Sequence, residues 1–326
     1  MAGKLKMVTR ADLTIARQRR GRGFCFRDAE GALVCDEPFK ARIAELAIPP
    51  AWRDVRVAPD ARAHIQCVGT DEAGRVQYIY HPDWEARRSA RKLRRLALLA
   101  AALPRIRRRV RKDLGAPAGS IALAQAIAVS LIDRTAMRVG SEEYLRENGT
   151  RGAATLFVAD VSVTGSRIAV AFLAKGGKQV RYELKDSKLA DAIARIAALP
   201  GKRLLVHYES DTLVALGTRA VNDYLRRISG VDISAKDFRT LRASALAAEA
   251  LAKLEPGHSE SARKRQMASV ARDVAEVLQN TPAISRKSYI APALFQLFDS
   301  GQLQSLWSGT SGRSEQRLEA LLGGSA

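Results

Sequence analysis

The change of pattern near residue 86 constrains the fold more than any other feature of this sequence. Before it, short aromatic or β-branched runs alternate with turn residues, which is typical of strands in hairpins. After it, an arginine-rich helical pattern begins and long helical patterns follow. A chain of 326 residues is long enough for two cores. We therefore predict an α+β protein, with a β-rich N-terminal domain over residues 1–86 and a mainly α-helical domain over residues 87–326.

The N-terminal part contains two candidate hairpins. In the first, residues 24–27 and 32–35 flank a turn sequence, and in the second, residues 64–68 and 75–80 flank another. Both turn sequences contain Asp and Gly, which supply the backbone conformations that turns need. Two antiparallel hairpins are the simplest interpretation.

The helical part contains one small antiparallel sheet. Residues 160–184 return to an alternating pattern, and a hairpin turn is expected over residues 175–178. Three apolar side chains of the first strand oppose three of the second: Ile168, Val170 and Phe172 against Val180, Tyr182 and Leu184. The sheet is therefore expected to be embedded among helices.

Prolines and polar residues set the expected limits of the helices. Residues 87–112 form an arginine-rich helical segment that Pro104 is expected to interrupt, and residues 120–147 carry long helical patterns. A later helix is expected to end before Thr281 and Pro282. We expect Ser285 to cap a new short helix, limited by Pro292, that carries Tyr289 in its first turn. The tail from Ser308 is rich in Gly and Ser and is expected to be loosely ordered.

The charge balance predicts a polyanionic partner. The formal net charge is +20 and the pI is about 10.4, so double-stranded DNA is the first candidate. Acidic residues are almost absent from residues 87–112, so we expect these arginines to lack partners at helical spacing and to bind phosphate rather than form a solvated surface. No run of eighteen apolar residues or signal peptide is visible, which predicts a cytoplasmic, nucleoid-associated protein without membrane contact.

The histidines and cysteines argue against a metal centre. Four histidines are scattered without an HxxxH pair, and Cys25, Cys35 and Cys67 match neither a zinc site nor a disulfide framework. We expect reduced structural thiols, no metal and no cofactor. Any chemistry must therefore come from Arg, Lys, Tyr or carboxylate side chains.

Four short motifs carry candidate reactive residues. Arg138 follows an apolar helical pattern, Lys175 lies at a hairpin tip, Arg239 opens an Ala-rich helix, and Tyr289 follows the sequence from Asn280 to Ser288. Taken alone, each of these would more often be an ordinary surface or packing residue. Only their combination carries functional information.

The order of these motifs resembles the type IB DNA topoisomerases, particularly the small poxvirus-like enzymes, over most of the chain. That family's catalytic set is arginine, lysine, arginine, histidine and tyrosine, in sequence order. Arg138 matches through R-x-G-x-x-x-Y-L-x-E-N, Arg239 through K-D-x-R-T and Tyr289 through T-P-x-I-S-x-x-x-Y. Lys175 matches the hairpin lysine through Phe172 and its neighbours. Asn280 stands where poxvirus members have histidine, which implies a hydrogen-bond donor that cannot protonate a leaving group.

The resemblance also implies which residues contact DNA. Arg75, Gln77 and Tyr78 match residues of the family's hairpin that reads bases in the major groove, and Tyr144 belongs to the Arg138 motif. Ser141 stands where poxvirus enzymes have a base-contacting lysine, so their sequence preference is not carried over.

The implied activity is relaxation of supercoiled DNA through a 3′-phosphotyrosyl intermediate, without ATP or metal, by a monomer that needs no protein partner. Two alternatives remain open at this point. A tyrosine recombinase uses a related residue set, but residues 23–84 do not resemble its helical first domain, and Asp237 stands where it has histidine. The second alternative is a basic DNA-binding protein whose catalytic residues are vestigial, and Asn280 gives this alternative some support.

Overall fold

A computed structural model describes residues 4–323 of the chain. The chain divides into two compact units, Met1–Arg91 and Lys92–Ala326. The division falls within one long helix, α2 (Pro82–Asp113). Each unit is described by itself below.

The N-terminal unit contains a five-stranded antiparallel sheet and one helix between its second and third strands. The strands are β1 (Ile15–Arg20), β2 (Gly23–Arg27), β3 (Arg53–Val57), β4 (Ile65–Thr70) and β5 (Val76–Tyr80). They lie in the order β2-β1-β3-β4-β5, so β2 and β5 are the two edges. The helix α1 (Glu37–Leu46) is capped by Asp36 and packs Phe39 against Ile15 and Val57 in the core.

One of the two predicted hairpins is confirmed and the other is wrong. Strands β4 and β5 pair around the predicted turn, with Thr70 opposite Val76. By contrast, β2 pairs with β1, and residues 32–35 contribute only a single bridge, Arg27 to Leu33. The predicted second strand stops because Asp36 caps helix α1 directly after it. Helix α1 and strands β1 and β3 were not predicted.

The second unit is mainly helical, which confirms the α+β prediction. After α2 its longer helices are α3 (Ile121–Thr135), α4 (Glu142–Asn148), α5 (Ser187–Ala197), α6 (Thr218–Ser229), α7 (Ala235–Ala252) and α8 (Glu260–Leu278). The C-terminal part adds α9 (Pro282–Ile284), a π-helical turn Ser285–Tyr289, α10 (Pro292–Asp299), α11 (Leu303–Ser308) and α12 (Ser314–Gly323). The residues 153–155 and 158–160 form short 3₁₀ turns.

The predicted embedded sheet is confirmed in its register. Strands β6 (Val161–Thr164), β7 (Arg167–Ala174) and β8 (Lys178–Lys185) lie in that order, and Val170 opposes Tyr182 as predicted. A further hairpin of β9 (Val206–Glu209) and β10 (Thr212–Ala215) was not predicted.

Two predictions about the helical part are wrong. Helix α2 continues through Pro104, because its buried face, including Leu99, Leu103 and Ile106, outweighs the roughly 3 kcal/mol that an interior proline costs. The helical patterns over residues 120–147 form α3 and α4, which are separated where Ala136 adopts a left-handed conformation. The tail is not loosely ordered throughout, since α12 buries Leu318 completely.

Candidate active site

Arg239 is buried between the ends of two other helices, and the backbone carbonyls at those ends, which bind its guanidinium, are called the Arg239 seat below. Arg239 lies one turn into α7, whose start is fixed by the reciprocal contacts of Ser234 and Asp237. Only 3% of Arg239 is exposed, and its guanidinium donates to the carbonyls of Ala136 and Leu278, the latter at 2.7 Å. These carbonyls lie at the C-terminal ends of α3 and α8, where backbone acceptors lack helical partners. The guanidinium is therefore held in one place.

Tyr289 is brought to Arg239 by an irregular segment rather than by the predicted short helix. After α8 the backbone turns at Gln279, and Thr281 caps α9 with its side chain. Ser285 has helical backbone angles, so the prediction that it caps a helix carrying Tyr289 in its first turn is wrong. Tyr289 instead ends the π-helical turn, closed by the bond from Ile290 N to the Ser285 carbonyl at 2.9 Å. Such turns are rare in proteins, and those that occur are often found at functional sites.

One hydroxyl fixes the backbone on both sides of this tyrosine. Ser244 Oγ donates to the Tyr289 carbonyl at 3.2 Å and accepts from the Ala291 amide at 3.0 Å. Ser244 is fully buried on α7, five residues after Arg239. The same helix therefore positions both Arg239 and the segment that carries Tyr289.

The Tyr289 phenol is nearly buried beneath cationic side chains. The Arg239 guanidinium lies 5.0 Å from the centre of the Tyr289 ring, and Tyr289 is 8% exposed. Burial is the largest single influence and raises the pKa of Tyr289. The charge and hydrogen bond of Arg239, with the charges of Arg138 and Lys236, outweigh it and lower the pKa overall. The phenol is thereby closer to its nucleophilic phenolate form at neutral pH.

Arg138 and Asn280 meet at the same place. Arg138 Nη2 donates to Asn280 Oδ1 at 2.5 Å. The buried Asn280 Nδ2 and Arg239 Nε atoms have no hydrogen-bond partner among residues 4–323. Burial lowers the pKa of Arg239, and the nearby charge of Arg138 adds to this effect. Unpaired buried donors beside two like charges are costly in the absence of an anion.

A close backbone contact holds the loop that carries Arg138. The Arg138 carbonyl accepts from the Ala153 amide at 2.9 Å, and Gly140 lies against Gly152. A Cβ atom on Gly152 would approach the Arg138 carbonyl oxygen to 2.4 Å, so only glycine fits there. Thr155 Oγ1 accepts from the Gly152 amide at 2.9 Å. The loop geometry thus depends on Gly152.

Lys175 lies at the tip between β7 and β8, as predicted, and is exposed. Its ammonium is 4.8 Å from the centre of the Tyr144 ring on α4. Tyr144 itself is 44% exposed. Thus Arg138, Arg239, Asn280 and Tyr289 form one cluster, whereas the described contact of Lys175 is with Tyr144.

Comparison with known proteins identifies the family. The family profile described as eukaryotic DNA topoisomerase I, catalytic core, matches residues 82–297, about two thirds of the chain. The chain belongs to the type IB DNA topoisomerases. A second profile, described as bacterial DNA topoisomerase IB, N-terminal domain, matches residues 23–71. DNA topoisomerase 1B of Acanthamoeba polyphaga mimivirus is 29% identical over 266 residues, which cover 79% of each chain. The predicted resemblance and activity are confirmed: the chain is an isomerase that relaxes supercoiled DNA.

Two of the predicted base-contacting residues of this topoisomerase share one aspartate in the N-terminal unit. Asp71 Oδ2 accepts from Arg75 Nε and Gln77 Nε2, each at 2.9 Å. The Arg75 side chain and backbone, chiefly, lower the pKa of Asp71 to about 2. Tyr78 is 40% exposed and stacks on Tyr80, with 5.9 Å between ring centres. Arg75 and Gln77 are thus pre-positioned by a shared carboxylate.

The topoisomerase carries three functional candidates that sequence reasoning missed. Lys92 Nζ donates to the Ile290 carbonyl at 3.2 Å, and burial, with a contribution from Lys236, lowers the pKa of Lys92 to about 8. The charge of Lys236 also helps to lower the pKa of Tyr289, and Ser244 fixes the backbone of Tyr289. Lys92 was grouped with the arginine-rich stretch, and Lys236 lay in the Arg239 motif, so position along the chain alone could not single them out.

The prediction that residues 87–112 lack partners at helical spacing is partly wrong. Arg88 pairs with Glu85 at 3.3 Å and Arg109 with Asp113 at 2.8 Å, because these acids lie one turn from the arginines and just outside the stretch. Asp237, where recombinases have histidine, accepts from Arg95 at 2.9 Å as well as from Ser234. Asp237 therefore has a structural task in this enzyme.

Within residues 4–323, no three His, Cys, Asp or Glu side chains are grouped so that they could hold a metal ion. Among the same residues, no helix is long and apolar enough to cross a membrane.

Proposed function

We propose that Tyr289 is the nucleophile of this topoisomerase and that Arg138, Arg239 and Asn280 bind the scissile phosphate. The observation that carries the proposal is the position of the Arg239 guanidinium over the Tyr289 ring, with Arg138 and Asn280 bonded to each other beside it. Two guanidinium groups can each bind phosphate oxygens through two N–H donors. The unpaired Asn280 Nδ2 supplies a further donor. A phosphate would satisfy the buried donors of this cluster.

The proposed reaction conserves the number of phosphodiester bonds. The Tyr289 oxygen attacks the phosphorus, the bond to the 5′ oxygen breaks, and a 3′-phosphotyrosyl bond forms. Negative charge that grows on the non-bridging oxygens in the transition state is stabilised by Arg138 and Arg239. Because one phosphodiester replaces another of similar energy, the 5′-hydroxyl can reverse the step without ATP.

Lys175 is proposed as the general acid for the leaving 5′ oxygen. Lys175 lies on the hairpin tip, beside Gly176 and Gly177, and its contact with Tyr144 is exposed to solvent. A lysine side chain with such a solvent-exposed contact, on a turn that contains two glycines, can move toward a bound duplex. In this proposal the lysine reaches the scissile phosphate only when DNA is present.

Arg75, Gln77, Tyr78 and Tyr144 are proposed to contact the duplex. The match of an N-terminal domain profile to residues 23–71 supports a separate DNA-reading domain, which we place at residues 1–86, with the catalytic domain at residues 87–326. We further propose that the enzyme acts as a monomer, without metal or cofactor, on chromosomal DNA in the nucleoid. The net charge of +20 supports broad affinity for duplex DNA.

The decisive test uses Tyr289→Phe, which removes only the attacking oxygen. We expect this variant to bind duplex DNA as the wild type does, to leave supercoiled plasmid unrelaxed, and to form no covalent complex on a nicked suicide duplex. The control is Tyr208→Phe, which changes an exposed tyrosine on β9. Plasmid relaxation by Tyr289→Phe in the presence of a chelator would refute the assignment of the nucleophile.

A further inference from the structure

Two of the three cysteines lie close to one isolated bridge at the edge of the N-terminal sheet. The bridge between Arg27 and Leu33 is antiparallel, so each step back along β2 corresponds to one step forward on the other segment. Cys25 and Cys35 are each two residues from this bridge, next to Phe26 and Val34, the last residues that share a backbone hydrogen bond. The bonds on either side of the bridge are 2.9 Å, from Val34 N to the Phe26 carbonyl, and 3.0 Å, from Asp28 N to the Ala32 carbonyl.

This hydrogen-bond pattern decides the type of pair. Because the bonds flank Arg27 and Leu33 rather than joining them, that pair is non-hydrogen-bonded, and closing the same register over two more residues would make Cys25 and Cys35 a pair of the same type. Opposed residues of this type have Cα atoms about 4.5 Å apart. That spacing lies within the range of about 4.4–6.8 Å that a disulfide spans.

The two thiols also share a face of the sheet. Phe26 and Val34 both pack against the core of the N-terminal unit. Side chains alternate between faces along extended chain, so the neighbours Cys25 and Cys35 both lie on the opposite, outer face. Cys25 is half-buried and Cys35 is exposed. A small oxidant can therefore reach Cys35 directly.

The third cysteine is sequestered. Cys67 is completely buried on β4, and burial, slightly opposed by the charge of Arg17, raises its pKa to about 12. A thiol that stays protonated is a poor nucleophile. Cys67 therefore serves as an internal control, a thiol of the same unit that is expected not to react.

We propose that Cys25 and Cys35 form a reversible disulfide when the protein meets a low-molecular-weight disulfide such as oxidised glutathione. The Cys35 thiolate attacks one sulfur of the oxidant and releases one glutathione thiolate, giving a mixed disulfide. The Cys25 thiolate then attacks the Cys35 sulfur and releases the second glutathione. The protein loses two electrons and two protons, and the oxidant becomes two glutathione molecules. This proposal does not depend on the assignment of catalytic residues.

The cross-link would close the open edge of the sheet. In the part of the chain that the structure describes, the edge strand β2 is paired on its outer side only at the Arg27 bridge. The disulfide would link β2 to Cys35, which directly precedes Asp36, the cap of helix α1. We therefore expect the oxidised protein to resist proteolysis within residues 26–34 more than the reduced protein does.

The experiment treats the folded full-length protein with oxidised glutathione, blocks the remaining thiols and maps the peptides without reduction. We expect the three free thiols to fall to one, Cys67, with a peptide that links Cys25 to Cys35 and reverts with dithiothreitol. Cys25→Ser should stop at a stable glutathione adduct on Cys35. Cys35→Ser should react far more slowly.

Three results would overturn the proposal. The first is a wild-type protein that stops at the Cys35–glutathione adduct with Cys25 still free. The second is a linkage that includes Cys67. The third is a disulfide-linked dimer as the main product on a non-reducing gel, because the two thiols would then prefer different chains.

Discussion

Arg239 and Lys175 are proposed to act on different oxygens of the scissile phosphate, and they are held in opposite ways. Arg239 is 3% exposed and is bonded to the carbonyls that end α3 and α8. Lys175 is exposed on a hairpin tip, and its described contact is one aromatic ring at 4.8 Å. In the proposed mechanism, Arg239 is already in its working position, whereas Lys175 must be brought to its own.

This difference corresponds to two tasks. Charge that develops on the non-bridging oxygens is best stabilised by dipoles and charges that need no rearrangement during the reaction. A general acid needs only to reach one leaving oxygen, and it must do so when substrate is present. Keeping Lys175 apart until DNA binds would limit cleavage to correctly bound duplex. The following substitutions test this contrast.

The largest effect is expected at Arg239. Arg239→Ala should lower the single-turnover cleavage rate by about a thousandfold, the upper end for loss of one preorganised donor. Arg239→Lys should recover little, because an ammonium cannot bridge the Ala136 and Leu278 carbonyls as the planar guanidinium does. The control is Arg242→Ala, an exposed position three residues along the same helix. Near-normal cleavage by Arg239→Lys would show that the rigid seat is unnecessary.

Lys175→Ala should reduce cleavage of an ordinary duplex by about a hundredfold, the lower end of the range for general acid catalysis. A duplex whose 5′ bridging oxygen is replaced by sulfur has a leaving group that needs no proton. On that substrate the variant should cleave nearly as fast as the wild type. Equal losses on both substrates would mean that Lys175 acts on binding or charge rather than on the leaving group.

Gly152→Ala tests whether the Arg138 loop shares the rigidity of the Arg239 seat. The added methyl group would meet the Arg138 carbonyl oxygen at 2.4 Å, so the loop must shift. A shift smaller than the 1 Å that costs about a hundredfold should still reduce cleavage by about tenfold. Gly217→Ala, where a Cβ has nothing within 4 Å, is the matched control. Equal rates for the two variants would show that the loop adapts freely.

The smallest effect is expected at Tyr144. Removing the ring in Tyr144→Leu should change the cleavage rate about two- to fivefold, as the 0.5–1 kcal/mol of an exposed cation–π contact implies, whereas Tyr144→Phe keeps the ring. If the ring acts through Lys175, the difference between Leu and Phe should vanish on the sulfur-substituted duplex. If it persists there, Tyr144 acts on DNA independently of Lys175.

The same contrast between fixed and movable parts explains which features could be predicted from the sequence. The β7–β8 register was predictable because alternation of Ile168, Val170 and Phe172 encodes which face is buried. Family motifs identified Arg138, Arg239 and Tyr289, which the structure places together. The π-helical turn before Tyr289 was not predictable, because it depends on Ser244, which lies 45 residues away along the chain.

Interruptions were harder to predict than patterns. Pro104 failed to break α2 because burial along that helix compensates for the lost bond, and burial is a tertiary quantity. The hairpin at residues 24–35 was predicted from good turn chemistry, but the actual partner strand of β2 is β1, which lies before it and is rich in Arg and Gln. Polar edge strands carry little periodic signal.

The anchoring of Tyr289 through Ser244 has a mechanical consequence. In the proposed mechanism, DNA is held by a covalent bond to Tyr289 while it is cleaved, so torque from the unwinding duplex would enter the protein there. Since Ser244 bonds to the backbone on both sides of Tyr289, that load passes into α7, the helix that also carries Arg239. Attachment and resealing machinery would then be displaced together under tension, which keeps the broken strand in register for rejoining.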